Sequence, residues 1–298
     1  MKKKTIAAFI LTVSLVAAAL SGCGSSAENG NMGNGGSAEN GRSEQQDPAQ
    51  SGQAAEAQGA AAESAQGESG QAKDSVIVTM PSTSEPEAGF APVSGWGAGE
   101  HVHEPLIQST LTTTTADLKI GKDLATDYSV SEDGLTWTVT IRNDVKFTDG
   151  EPLMASDVAF TYNLCVQNSS VNDFTMLDSA EAVDDMTVVF HMKRAYSIWP
   201  YTMAIVGIVP EHAYGADYGE HPIGSGRHIM KQWDRGQQVI FEANPDYYGE
   251  APKMKKVTVL FMEEDAAFAA VQSGQVDLAY TAASYSDQTI SGYDLLSF

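Results

Sequence analysis

The sequence predicts a mixed α/β (α+β) fold over residues 75–298, behind an N-terminal quarter that belongs to no packed core. Three observations predict it. Short β-branched or alternating runs recur at residues 75–80, 136–142, 186–192, 257–261 and 276–280. Two stretches, 156–166 and 265–273, carry apolar residues at helical spacing. Strands outnumber helices, and no repeat period is visible.

Taken in order, residues 75–80 form a β-branched run that stops at Pro81, which reads as a buried strand. Residues 136–142 alternate strictly, with Trp137, Val139 and Ile141 on one face and threonines on the other. That is the pattern of a half-buried antiparallel strand. Ser156 is placed to cap a helix whose Val158, Thr161, Tyr162, Cys165 and Val166 share one face. Asp184 and Asp185 separate two runs that read as a hairpin. Residues 205–209 are a short apolar strand ended by Pro210, and 257–261 are another. A helix over 265–273 is closed by Gly274 at the position after its cap, and 276–280 return as a strand.

The first 74 residues behave differently. Lys2, Lys3 and Lys4 precede an apolar run over 5–20 that holds only three hydroxyl side chains. Sixteen residues are too few for a span of about 20, and the layout is that of a signal peptide over residues 1–22. The run ends in Leu20-Ser21-Gly22-Cys23, which resembles a bacterial lipobox, so Cys23 is the expected lipidation site and new N-terminus. Residues 23–74 then read as a linker. Of residues 24–74, 45 are Gly, Ala, Ser, Gln, Glu or Asn, and none is aromatic, Val, Ile or Leu. Such a segment has too little to bury to offset ordering entropy, so a disordered leash is expected.

Charge excludes several functions. The chain carries 17 Lys+Arg against 39 Asp+Glu, a net charge of −22. The first 22 residues hold three bases and no acid, and residues 24–74 hold eight acids and two bases, which leaves −19 on residues 75–298. A surface this acidic repels phosphate backbones and anionic headgroups, so no nucleic-acid partner is expected. Of the two cysteines, Cys165 has no partner once Cys23 is lipidated, so no disulfide framework is expected and a buried inert thiol is.

No catalytic constellation stands out. His103-Glu104 opens like a zincin helix, but Pro105 follows and Ile107 stands where the second histidine belongs. His101 and His103 remain the weak metal candidates. Ile223 precedes Gly224-Ser225-Gly226 where a nucleophile elbow needs glycine. The run Glu263-Glu264-Asp265 sits where it complements a helix dipole.

The block DGLTWTVTIRNDVKFTDGEPLMASDVAFTY at 133–162 resembles the signature of the family 5 extracellular solute-binding proteins, the peptide/nickel-binding components of ABC importers. Further pieces follow in the same order: EPLI at 104–107, DDMTVVF at 184–190, GIVPEH at 207–212, PIGSG at 222–226, QQVIFEANPDYY at 237–248 and GQVDL at 274–278. The resemblance covers residues 75–298. It implies periplasmic-binding-protein-like type II lobes, lobe I with a smaller inserted lobe, with the C-terminal lobe missing. One departure is Gly224-Ser-Gly-Arg-His228, where the family usually has Gly-Thr-Gly-Pro-Tyr. Asp149 and Asp157 read as turn and cap residues rather than ligand contacts.

The resemblance implies ligand contacts in a cleft between lobes. Two stretches match places where the family lines that cleft: Phe90, Trp96 and Gly97 after the first strand, and Tyr280 with Thr281 after the last one. The function implied is capture of di- or oligopeptides by a lipid-anchored, extracytoplasmic protein that hands them to an ABC permease and its ATPase. It is no enzyme, needs no cofactor and is expected to be a monomer. The alternative is a metal-chelate binder of the nickel type. A surface hydrolase is the remaining class, and the missing nucleophile–base pair argues against it. With the C-terminal lobe missing, the 298-residue chain is expected to bind solute weakly or not at all.

Overall fold

The computed structural model describes residues 4–8, 73–93, 106–115, 117–168 and 173–297, and these fall in one compact unit. The strands are β1 (Lys4–Ala8), β2 (Ser75–Pro81), β3 (Thr112–Thr114), β4 (Ile120–Lys122), β5 (Ala125–Val130), β6 (Thr136–Ile141) and β7 (Leu177–Ala182). They continue as β8 (Thr187–Met192), β9 (His228–Asp234), β10 (Gln238–Ala243), β11 (Lys256–Met262), β12 (Leu278–Ala279) and β13 (Tyr293–Ser297). The helices are α1 (Ala155–Asn168), α2 (Trp199–Thr202) and α3 (Glu264–Gln272).

Two sheets carry the fold. A five-stranded mixed sheet has the order β12–β2–β11–β10–β9, in which β2 runs parallel to both β11 and β12 while β9, β10 and β11 are joined antiparallel. A four-stranded sheet has the order β5–β6–β8–β7, antiparallel throughout. β3 and β4 form a hairpin, and β1 pairs in parallel with β13.

The antiparallel sheet follows its sequence pattern closely. Trp137, Val139 and Ile141 of β6 are buried, as the alternation predicts. β7 and β8 are the predicted hairpin, and Asp184 Oδ1 accepts from the Met186 amide at 2.8 Å inside its turn. Helix α1 buries Val158, Thr161, Tyr162 and Cys165 against this sheet. Burial pushes the Cys165 thiol up to about 12, which keeps it in the unreactive S–H form. The start of α1 corrects the expectation for Ser156. Met154 precedes the helix, and Asp157 Oδ2 reaches back to accept its amide at 2.9 Å. That is the returning half of a capping box, and the hydroxyl of Ser156 makes no such bond. The other oxygen of Asp157 accepts from the Glu211 amide at 2.9 Å and so ties a distant loop to the helix end.

In the mixed sheet the pattern is followed more loosely. β2 forms as predicted, but only Thr79 is closed off from solvent and its other residues are half-buried. The expected strand over 205–209 is absent. Val206, Ile208 and Val209 are buried as irregular backbone, and the Ile208 amide donates to the Ser109 carbonyl at 2.9 Å. An apolar run marks burial, and here no neighbouring strand offers it a ladder. α3 ends as predicted: Gly274 has φ +73, its amide donates to Val271 O, and Gln275 N donates to Ala270 O. These two bonds are the Schellman pattern.

A crossover segment joins the sheets. Gly226 N and His228 N donate to the carbonyls of Ile107 and Leu106. A Cβ at Gly224 or Gly226 would collide with the Ile107 carbonyl, so both glycines are required by backbone contact. Where the family usually has an aromatic, His228 is buried and its Nε2 faces the Met254 carbonyl at 2.9 Å. The Tyr248 phenol donates to Asp123 Oδ1 at 2.5 Å, and the Arg142 guanidinium lies 4.4 Å over the Tyr248 ring. These contacts hold the sheets in one arrangement.

Candidate ligand-binding edge

Three parallel strands, β12, β2 and β11, send their carboxyl ends to the same edge of the mixed sheet. In open sheets of this kind the loops after those ends are where ligands bind. After β2 comes a turn over Ser82–Ser84, after β11 the start of α3, and after β12 Tyr280 and Thr281. A pocket of about 380 Å³ opens there, lined by Pro81, Ser82, Thr83, Met262, Glu263 and the first residues of α3.

Its chemistry is acidic and aromatic. Ser82 Oγ donates to Glu263 Oε1 at 2.9 Å, which links the β2 and β11 loops. Glu264 and Asp265 occupy the first turn of α3, where the helix dipole favours them. The Tyr285 phenol donates to Asp265 Oδ1, and its ring stacks on Phe268 with centroids 4.2 Å apart and planes 13° from parallel. That bond, more than any burial, raises the pKa of Tyr285 and keeps the phenol protonated. The edge therefore offers carboxylates, hydroxyls and a flat aromatic pair. Among the described residues no group of three or more His, Cys, Asp or Glu is arranged to hold a metal ion.

The site residues read from the sequence are placed as follows. Tyr280 is half-buried, its amide 3.4 Å from the Thr79 carbonyl, and Thr281 is buried beside it. Both stand at the carboxyl end of β12. Phe90 is fully buried, its ring edge-on to Trp233 at 4.9 Å and to Phe241 at 5.9 Å. In this arrangement it packs the core under the sheet and presents no surface to a solute. Trp96, Gly97, His101, His103 and Cys23 lie outside the described residues. Sequence reasoning missed Ser82, Phe268 and Tyr285. Phe268 and Tyr285 are 17 positions apart on different elements, so no local spacing announces their stack.

Residues 119–295 match the bacterial extracellular solute-binding proteins, family 5 Middle. The chain belongs to that family. Among family 5 relatives, the Bacillus subtilis oligopeptide-binding protein AppA is 32% identical over 190 residues, 58% of this chain and 35% of AppA. Protein XP55 of Streptomyces lividans is 32% identical over 219 residues, 69% of this chain and 39% of the relative. The chain thus spans little more than a third of the length of these relatives. The structure of AppA in complex with a nonapeptide superposes with a TM-score of 0.59 at 29% identity, covering 68% of this chain and 43% of AppA. NikZ of Campylobacter jejuni, solved with Ni(L-His), gives a TM-score of 0.65 at 24% identity over 72% of this chain and 45% of NikZ, and shows the shared fold. The mixed α/β, periplasmic-binding-protein-like architecture implied by the family 5 signature is therefore the observed one, over the portion present.

Proposed function

We propose that this chain is part of the solute-capture component of an ABC importer, and that its cargo is a di- or oligopeptide. The observation that carries this reading is the convergence of three parallel carboxyl ends on one edge that displays Tyr280, Tyr285 and carboxylates. Relatives named as oligopeptide- and D,D-dipeptide-binding proteins support the choice of cargo. Extended peptides expose an ammonium group and ring or alkyl side chains, which suit carboxylates and aromatic faces. The protein performs no reaction. It closes on a solute and releases it to a membrane permease whose ATPase supplies the energy.

In the same reading residues 1–22 are cleaved, Cys23 carries the lipid, and residues 23–74 lift the folded part off the membrane as a monomer. At about 5–6 Å times the square root of residue number, that leash reaches on the order of 40 Å.

Calorimetric titration of di- to nonapeptides into the complete exported solute-capture protein, of which this chain is part, tests the cargo. One-to-one binding is expected, weakened about tenfold by Tyr280→Ala, the scale of one aromatic contact. No binding across the peptide set sinks the reading. Cys23→Ser is expected to shift the protein from the membrane fraction to the medium, and unchanged membrane retention would remove the anchor.

A further inference from the structure

A second pocket lies at the opposite edge of the mixed sheet, along β9. It is separated from β2 by β11 and β10, about 14 Å at ordinary strand spacing, and is independent of the peptide edge. Its volume is about 540 Å³, within the range of small-molecule sites.

A β-bulge builds it. Ile240 pairs with Gln232 and Phe241 with Met230, so Lys231 has no opposite number on β10. The extra residue breaks the alternation. Met230 and Trp233 both pack on the Phe90–Phe241 cluster, while Lys231 and Gln232 are turned to solvent. A loop carrying His221 and Ile223 forms the facing wall. Arg235 is already committed, since its guanidinium stacks 4.0 Å over the Trp233 ring and pairs with Glu220 at 2.7 Å. Trp233 Nε1 donates to Glu85 at 2.8 Å, which fixes the indole. Lys231 makes no ion pair among the described residues, in a chain where acids outnumber bases 39 to 17.

We propose that this pocket binds an amphipathic carboxylate, with the anionic head at Lys231 and His221 and the apolar body against Ile223, Met230 and Trp233. The bulge interrupts the ladder and so opposes addition of a peptide strand along β9. What it leaves is an unneutralised ammonium at the mouth of a partly apolar pocket with a rigid aromatic wall. Such a group favours an anion, and the wall favours one with a hydrocarbon body.

The test titrates the 298-residue chain with octanoate, octylamine and acetate, following the Trp233 indole N–H signal by nuclear magnetic resonance and heat by calorimetry. Octanoate is expected to bind saturably and to move the Trp233 signal. Lys231→Gln, a change at an exposed position, is expected to weaken it roughly threefold to fivefold, the size of an exposed ion pair. Added salt is expected to weaken it as well, and acetate to fail for lack of a body. Octylamine binding as well as octanoate would overturn the proposal, since the site would then be merely greasy. So would an unchanged affinity in Lys231→Gln. Absence of saturable binding, with self-association rising in Lys231→Gln, would also overturn it and leave Lys231 as a guard against edge-to-edge pairing.

Discussion

The antiparallel sheet with α1 and the mixed sheet with α3 are built to different standards of packing. Among the described residues, the first shares in one cluster of 26 buried apolar side chains that also takes in α2. The second rests on two clusters of six each, split between the faces around Phe241 and around Val271. Tyr162, Phe190 and Trp199 interlock at ring separations of 4.8–5.5 Å, and all three are fully buried. By contrast, the Phe268–Tyr285 stack stands half-exposed at the edge of the mixed sheet. The lesson is a division of labour. The four-stranded region gathers its rings in one interlocked core, whereas the mixed sheet buries Phe90, Phe241 and Phe261 but leaves Phe268 and Tyr285 partly exposed at its edge.

Truncating one ring in each region separates the two most directly. Trp199→Ala is expected to cost about 3–5 kcal/mol in urea denaturation, as deletions of large core side chains do. Phe268→Ala is expected to cost under about 1 kcal/mol, because a half-exposed ring has little burial to lose. Equal losses would show that the mixed sheet is as tightly determined as the other.

The next largest effect belongs to Asp157, which is 5% exposed and accepts two backbone amides. Asp157→Ala strands both donors and is expected to cost roughly 2–3 kcal/mol. Asp157→Asn keeps one side-chain oxygen acceptor and should recover part of that. If the two variants are equally unstable, one oxygen recovers nothing and both amides must be accepted together. Gly274→Ala acts on the other region. Its φ of +73 lies in the left-handed range with open space around it, so the cost is backbone strain alone, about 1 kcal/mol.

What was legible in the sequence follows the same division. β6 was readable because its threonines and apolar residues alternate with one face wet, and α1 because its buried face repeats at helical spacing. Asp149 and Asp157 were readable as turn and cap because their bonds are local. β9 was not, since the bulge at Lys231 erases its alternation. Residues 205–209 look like a strand in sequence because apolar composition reports burial and not hydrogen-bond partners. At the candidate edge, Tyr280 and Thr281 follow the GQVDL motif in the chain, whereas Ser82 and Glu263, 181 residues apart, meet only through the parallel pairing of β2 with β11, and Tyr285 reaches Asp265 from 20 residues further on. Phe90 shows the remaining difficulty. An aromatic after a first strand has the same appearance in sequence whether it lines a cleft or fills a core.

The smallest effect lies in a surface pair that joins the turn at Asp149 to the loop at His212. Asp149 Oδ2 accepts from His212 Nε2 at 2.7 Å, and the Phe147 ring lies edge-on to the imidazole at 6.1 Å. That carboxylate holds the His212 pKa above its ordinary 6.5. The folded chain therefore binds the proton more tightly than the unfolded one. The stabilisation is fully present below pH 6.5 and is lost as pH rises through the raised value. His212 is 43% exposed, so solvent screening limits the gain to a few tenths of a kcal/mol. The difference in urea midpoint between the parent chain and His212→Gln should shrink between pH 6 and pH 8. An opposite slope would mean that the imidazole is neutral in the folded chain and that Asp149 serves its own turn alone.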